Sequence, residues 1–220
     1  MRALRLALIA AALVAGLANA SPTAPRDGAD FTTLAAPQPT QTVGKKIEVI
    51  EFFAYHCGAC NAFEPTLKNW AKQQGDRIAL RRMPLPFQGP ADPEAHLFLT
   101  LEAMGKLDAY HGRVFDAVHV ERKRLMKDAD IIAWAGENGL DKAAFADTWN
   151  SFGVQNRLKR LSQVAEAYQV AGTPTVIIDG TYVVSPAQVQ DANRIHDAGE
   201  VMMATGQVMD ALVTKAAASR

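Results

Sequence analysis

The chain has 220 residues, 23 of them basic and 23 acidic, so its formal charge is zero, and 49% of the residues are hydrophobic. That balance gives no electrostatic case for binding nucleic acid, and a chain of this size can bury a substantial core without disulfides to hold it together. It has only two cysteines, Cys57 and Cys60, in the stretch YHCGAC.

The first twenty residues carry Arg2 and Arg5, an apolar run from Leu6 to Leu17, and the small-residue end Ala18-Asn19-Ala20. This is the order of a secretory signal peptide cleaved after Ala20. A membrane anchor would need a longer run, ~20 apolar residues. Without Arg2 and Arg5 the mature chain carries a charge of −2. Export takes it to an oxidising compartment, where a disulfide persists. Residues 21–45 are rich in Pro, Thr, Ala and Gln and read as a loose arm, with Phe31 to Leu34 (FTTL) as a short edge strand.

IEVIEFFAY, residues 47 to 55, has the β-branched and aromatic make-up of a central strand, interrupted by Glu51. It runs into CGAC and then a helix, in which Phe63, Leu67, Trp70 and Ala71 share one face. Pro65 should kink this helix and Gly75 should end it. A second strand is expected over 77–83. From Asp92 to about Tyr168 the pattern is helical. Asp92-Pro93 opens the block, Asp128 and Asp141 serve as caps, and Phe145, Trp149 and Phe152 share the helix that starts at Asp141. Residues 175–178 and 181–184 form a hairpin across the two-residue turn Asp179-Gly180. A helix bearing Val201, Thr205, Val208, Met209 and Leu212 closes the chain. The layout is an α/β sheet layer, residues 21–89 and 169–220, interrupted by an all-helical subdomain over 90–168.

A bridge across two intervening residues removes little chain entropy, so a structural staple is a poor explanation for Cys57 and Cys60. A C-x-x-C at a strand-to-helix junction places Cys57 at a helix N-terminus, where free N–H groups and the dipole stabilise a thiolate. Cys60, one turn on and facing inward, should keep a more ordinary thiol. Thiol–disulfide exchange needs this asymmetry, because a second sulfur must resolve the mixed disulfide. His56 reads two ways, as a protonated imidazole that favours the thiolate or as a solvated side chain. Glu51 is either a solvent-facing residue or a buried acid with a role. His96, His111 and His119 read as ordinary surface or core-edge histidines.

VIEFFAYHCGAC resembles the active-site strand and helix start of thioredoxin-fold oxidoreductases of the exported DsbA type. GTPTVIIDG resembles the strand of that fold that begins at a cis proline, FTTL resembles its N-terminal strand, and the likeness extends over residues 30 to 215. The resemblance implies a thioredoxin-like fold with a helical insert, and a cis Thr173–Pro174 bond against the Cys57 sulfur. The backbone edge of Thr173 would then pair with a bound substrate strand. Glu51 would be the acid beneath the cysteines that accepts the Cys60 proton. Where the family often has a lysine beside this acid, the candidate here is Arg82 or Arg81. The Pro-His pair common between the cysteines is replaced by Gly58-Ala59, neither of which has a side-chain donor.

The activity implied is donation of the Cys57–Cys60 disulfide to newly secreted, cysteine-containing proteins in the periplasm. The protein would act as a monomer, without a cofactor, and be re-oxidised by a membrane quinone-linked oxidase of the DsbB type. A reductase or isomerase of the same superfamily is the second reading. The third is a carrier of a soft metal ion on the two thiolates.

Overall fold

The computed structural model describes residues 22–42 and 44–220; the signal sequence expected over residues 1–20 lies outside them. The central strand β2 (Ile47–Phe53) is buried along its whole length, which accounts for its nearly continuous apolar sequence. β3 (Ile78–Pro84) pairs with it in parallel, and β4 (Thr175–Ile178) pairs antiparallel on its other side. β5 (Tyr182–Val184) and the two-residue edge strand β1 (Thr32–Thr33) complete a sheet of order β1-β5-β4-β2-β3. A parallel pair requires a crossover. Here it is α1 (Gly58–Gln74), which runs on through Pro65 and buries Phe63, Leu67 and Trp70.

Five helices separate β3 from β4: α2 (Pro93–Ala103), α3 (Leu107–His119), α4 (Asp128–Glu137), α5 (Lys142–Trp149) and α6 (Phe152–Ala167). After β5 come α7 (Pro186–Asn193) and α8 (Ala198–Ala218). This is a thioredoxin-like core with additional helices. One hydrophobic cluster joins Phe31, just before β1, to β2, α1 and α8 through Val49, Leu67, Val208 and Leu212. The other joins the end of β2 to the five helices through Phe53, Tyr55, Phe98, Phe115 and Leu158.

Several local expectations need correction. The arm is tied down over its described part. Phe31 and Leu34 are buried, Leu34 and Gln38 donate backbone bonds to Thr181 and Gly180, and buried Asp30 accepts from Asn193. The hairpin register pairs Ile178 with Tyr182, leaving three residues between them rather than two. Asp179 and Gly180 still take the positive φ values of 53° and 63° that a type I′ turn requires. Asp92 and Asp141 cap their helices at 2.8 Å from the N–H groups of Ala95 and Ala144. Asp128, by contrast, is the first residue inside α4, where it complements the helix dipole without capping. Phe152 is not part of the Trp149 helix. Ser151 caps a new helix there, and the Phe152 ring is 81% exposed. The short helix α7 was not expected from the sequence at all.

Candidate active site

The end of β2 and the start of α1 create the site. Cys57 is the N-cap of α1, and its Sγ accepts the Cys60 N–H at 3.2 Å. In its thiol form Cys57 donates to the Thr173 carbonyl at 3.4 Å. The Thr173–Pro174 bond is cis, and this loop brings the carbonyl across from a residue 116 positions away in the chain. Cys57 is half-buried, whereas Cys60 has no exposure. The two sulfurs therefore differ as the helix geometry demands. A hydrogen bond from Cys60 lowers the Cys57 pKa to about 5, against an opposing effect of burial, and the Thr173 side chain and the first backbone N–H groups of α1 lower it further. The Cys60 thiol is pushed well above its ordinary range, because it donates to the Cys57 sulfur and because it is buried.

Glu51, on β2 and six positions before Cys57, is fully buried. Burial raises its pKa to about 8, although Arg82 opposes the shift. Of the two arginines considered, Arg82 is the partner: its Nε donates to Glu51 Oε2 at 3.0 Å, while Arg81 lies 3.6 Å from Glu48. The Arg82 fork also reaches both oxygens of Glu64, at 2.8 and 3.0 Å. Burial pushes Glu64 up, but its partners hold its carboxyl below the usual range. Arg82 is the stronger of these, because His111 Nε2 stands 3.7 Å from Glu64, beyond hydrogen-bond length. A cavity of about 690 Å³, lined by Glu64, Lys68, Arg82 and His111 among others, borders this network.

The two residues before Cys57 are held from the helices. The Tyr55 hydroxyl bonds His111 Nδ1 at 3.0 Å, and its carbonyl accepts from His119 Nε2 at 2.7 Å. His56 bonds Glu94 twice, through its backbone N–H at 3.1 Å and through Nδ1 at 2.6 Å, both to Oε2. His111, His119 and Glu94 were not among the residues expected at the site. The two histidines carry a readable signal, since they lie at i and i+8 with Phe115 between them on one stripe of α3. Glu94 has none beyond an acid in the first turn of a helix. The site thus brings together Cys57, Cys60, Thr173 and Pro174 with Glu51 beneath them, while His56 turns its Nδ1 to Glu94. Beside Pro174 lies a cavity of about 200 Å³ bounded by Ala59, Pro186, His196 and Met202. Among the described residues, no three His, Cys, Asp or Glu side chains cluster as metal ligands would.

A strand, a C-x-x-C at a helix N-cap, a facing cis-proline loop and helices added between β3 and β4 define a thiol–disulfide exchanger of the thioredoxin superfamily. A family profile described as DSBA-like thioredoxin domain matches residues 48–198. The thiol:disulfide interchange protein DsbA of Burkholderia cepacia is 35% identical over 206 residues, covering 94% of this chain and 92% of its own. DsbA of Bordetella parapertussis is 39% identical over 180 residues, covering 81% and 85%. The crystal structure of Pseudomonas aeruginosa DsbA superposes with a TM-score of 0.75 at 32% identity, covering 88% of this chain and 96% of that one. The chain belongs to the DsbA family. It is a thiol:disulfide oxidoreductase with Cys57 and Cys60 as its reactive pair.

Proposed function

We propose that the protein is a periplasmic oxidant, exported by a signal peptide cleaved after Ala20, that passes the Cys57–Cys60 disulfide to newly secreted proteins. A substrate thiolate attacks Cys57 Sγ, the Cys57–Cys60 bond breaks, and Cys60 leaves as a thiolate that takes a proton delivered through Glu51. A second substrate thiolate then attacks the substrate sulfur of the mixed disulfide and releases Cys57 as a thiolate. The observation that carries this reading is the placement of the two sulfurs: Cys57 caps α1 and accepts the Cys60 N–H, which favours its thiolate, while Cys60 is fully buried, which disfavours its own. A good leaving group at the exposed sulfur favours release over retention.

In this reading the Thr173 backbone edge receives the substrate strand beside Pro174. Residues 90–168 act as a subdomain that covers the exchange domain formed by residues 21–89 and 169–220. Family membership implies dealings with partner oxidoreductases in general; the partner proposed for re-oxidation is a membrane quinone-linked enzyme of the DsbB type. The reductase or isomerase reading draws on Gly58-Ala59, which adds no side-chain donor to the Cys57 thiolate. Equilibration with glutathione buffers separates the two. A potential more oxidising than the glutathione couple supports the oxidant, whereas a potential well below it, together with rapid insulin reduction, overturns it.

A further inference from the structure

The exchange steps above use thiolates from the substrate, yet an ordinary cysteine is only a few per cent ionised at neutral pH. While Cys57 and Cys60 are joined as a disulfide, neither offers a free sulfur to take the substrate proton. Glu51 is sealed beneath them with 1% exposure. His56 immediately precedes Cys57 in the chain and is not used in those steps.

Three features of His56 fit it for this proton. Its side chain is 36% exposed, although its partner Glu94 is buried. Nδ1 donates to Glu94 Oε2 at 2.6 Å, so the neutral ring carries its lone pair on Nε2, which bonds no described residue. The edge-on Phe87 ring at 5.1 Å and the second bond, from the His56 backbone N–H to the same Oε2, hold the ring in this orientation. A base oriented by a third group is the arrangement that activates nucleophiles elsewhere. Glu94 faces His56 from α2, Asp92 acts on Glu94 from the helix cap, and Cys57 adjoins His56 in the chain.

We propose that His56 is the general base for the entering substrate thiol and that Glu94 is its positioning residue; the inference depends on the oxidant reading above. The substrate S–H gives its proton to His56 Nε2, and the resulting thiolate attacks Cys57 Sγ. The electron pair of the Cys57–Cys60 bond leaves on Cys60, which is protonated. The imidazolium, stabilised by the Glu94 carboxylate, returns its proton to water before the second thiol arrives and repeats the transfer.

The test compares two reductants of the oxidised protein by stopped-flow fluorescence between pH 5 and pH 8: a cysteine peptide, and an aromatic thiol already ionised across that range. His56→Gln should slow the peptide reaction roughly a hundredfold near pH 6, the low end of the usual contribution of a general base, and leave the aromatic thiolate reaction unchanged. Glu94→Gln should act in the same direction on the peptide and move the pH at which its rate rises. Glu94→Asp and a thermal melt guard against a merely unfolded variant, since His56→Gln changes only a half-exposed side chain. Equal fractional losses on both reductants, or no loss on the peptide, would overturn the proposal. If the unmodified disulfide form oxidised neither reductant, the oxidant reading would fail instead.

Discussion

The two hydrophobic clusters that meet at β2 enclose very different polar groups. In the one formed by β2, α1 and α8, Trp70 and Gln74 donate to Asp210 at 2.8 and 2.5 Å, Thr205 donates to the Val201 carbonyl within α8, and Asp30 beside Phe31 is a buried acid that accepts from Asn193. The cluster under the five inserted helices holds Cys60 and Tyr55 and adjoins Glu51, Arg82, Glu64, His111 and Glu94. Enclosing charged groups is costly, and a buried ion pair is weak evidence for stability. The second cluster, which gathers more of these groups, therefore accepts a stability cost beside the sulfurs. Perturbing one cluster should move stability alone, while perturbing the other should move ionisation and redox behaviour.

The first expected effect is on the difference between the two redox forms. The Cys57 pKa of the folded dithiol is depressed to about 5, so its contribution is fully present above the unfolded thiol's pKa and fades as the pH falls through 5. At pH 8 the dithiol form should exceed the disulfide form by roughly 3 kcal/mol, with the solvent-screened part of the shift discounted. Denaturant melts of both forms from pH 4 to pH 8 measure this. A difference that does not shrink towards pH 4 would show that the helix end does not select the thiolate.

Leu212→Ala tests the other cluster. Its side chain is 1% exposed on α8, and truncation there should cost about 2–4 kcal/mol. The Cys57 thiolate absorbance titration should stay where it was. A shift in that titration would mean the clusters are not separable.

Much of the contrast could be read in advance, and the reason lies in range along the chain. The strand-turn-helix around Cys57 and the hairpin at Asp179-Gly180 are local patterns; the first formed where expected, and the second kept its turn residues with its register shifted by one. α7 escaped because it has eight residues, of which only Pro186 and Val189 are buried; Ser185-Pro186, a cap and first-turn pair, was its one signal. The polar half of the second cluster is long-range. Glu94 meets His56 from 38 positions away and His111 meets Tyr55 from 56, and hydrophobic periodicity carries no record of such pairings. The arm looked loose because composition weighs its many prolines and threonines and says little about two well-placed residues, Phe31 and Leu34.

Glu51→Gln should produce an effect of similar or smaller size and opposite sign to Leu212→Ala. Its folded pKa is raised to about 8, so its contribution is fully present below the ordinary carboxyl pKa and is lost as the pH rises through 8. The variant should therefore match the parent near pH 4 and be more stable at pH 8, by up to about 3 kcal/mol. It should also slow the exchange step that protonates Cys60. Stability curves at the two pH values decide this; a variant less stable at both would place the ionised carboxylate, held by Arg82, as the resting form.

Arg82→Lys should give the smallest change, and it isolates what the guanidinium does. Arg82 serves two carboxylates at once, Nε to Glu51 and Nη2 to Glu64. A lysine has the charge but not the planar fork, and one ammonium cannot reproduce both directions. Glu64, at the edge of the cavity, is the more accessible partner and should keep the lysine. Glu51 would then lose the hydrogen bond that opposes its burial, and its pKa should rise, by up to about one unit. Carbon-13 titration of the Glu51 carboxyl measures this directly, with a stability change within about 1 kcal/mol. A fall in the Glu51 pKa would mean that the ammonium follows Glu51 and abandons Glu64. The coupling between the cavity side of the network and the acid beneath the sulfurs would then run opposite to the one inferred from the arginine.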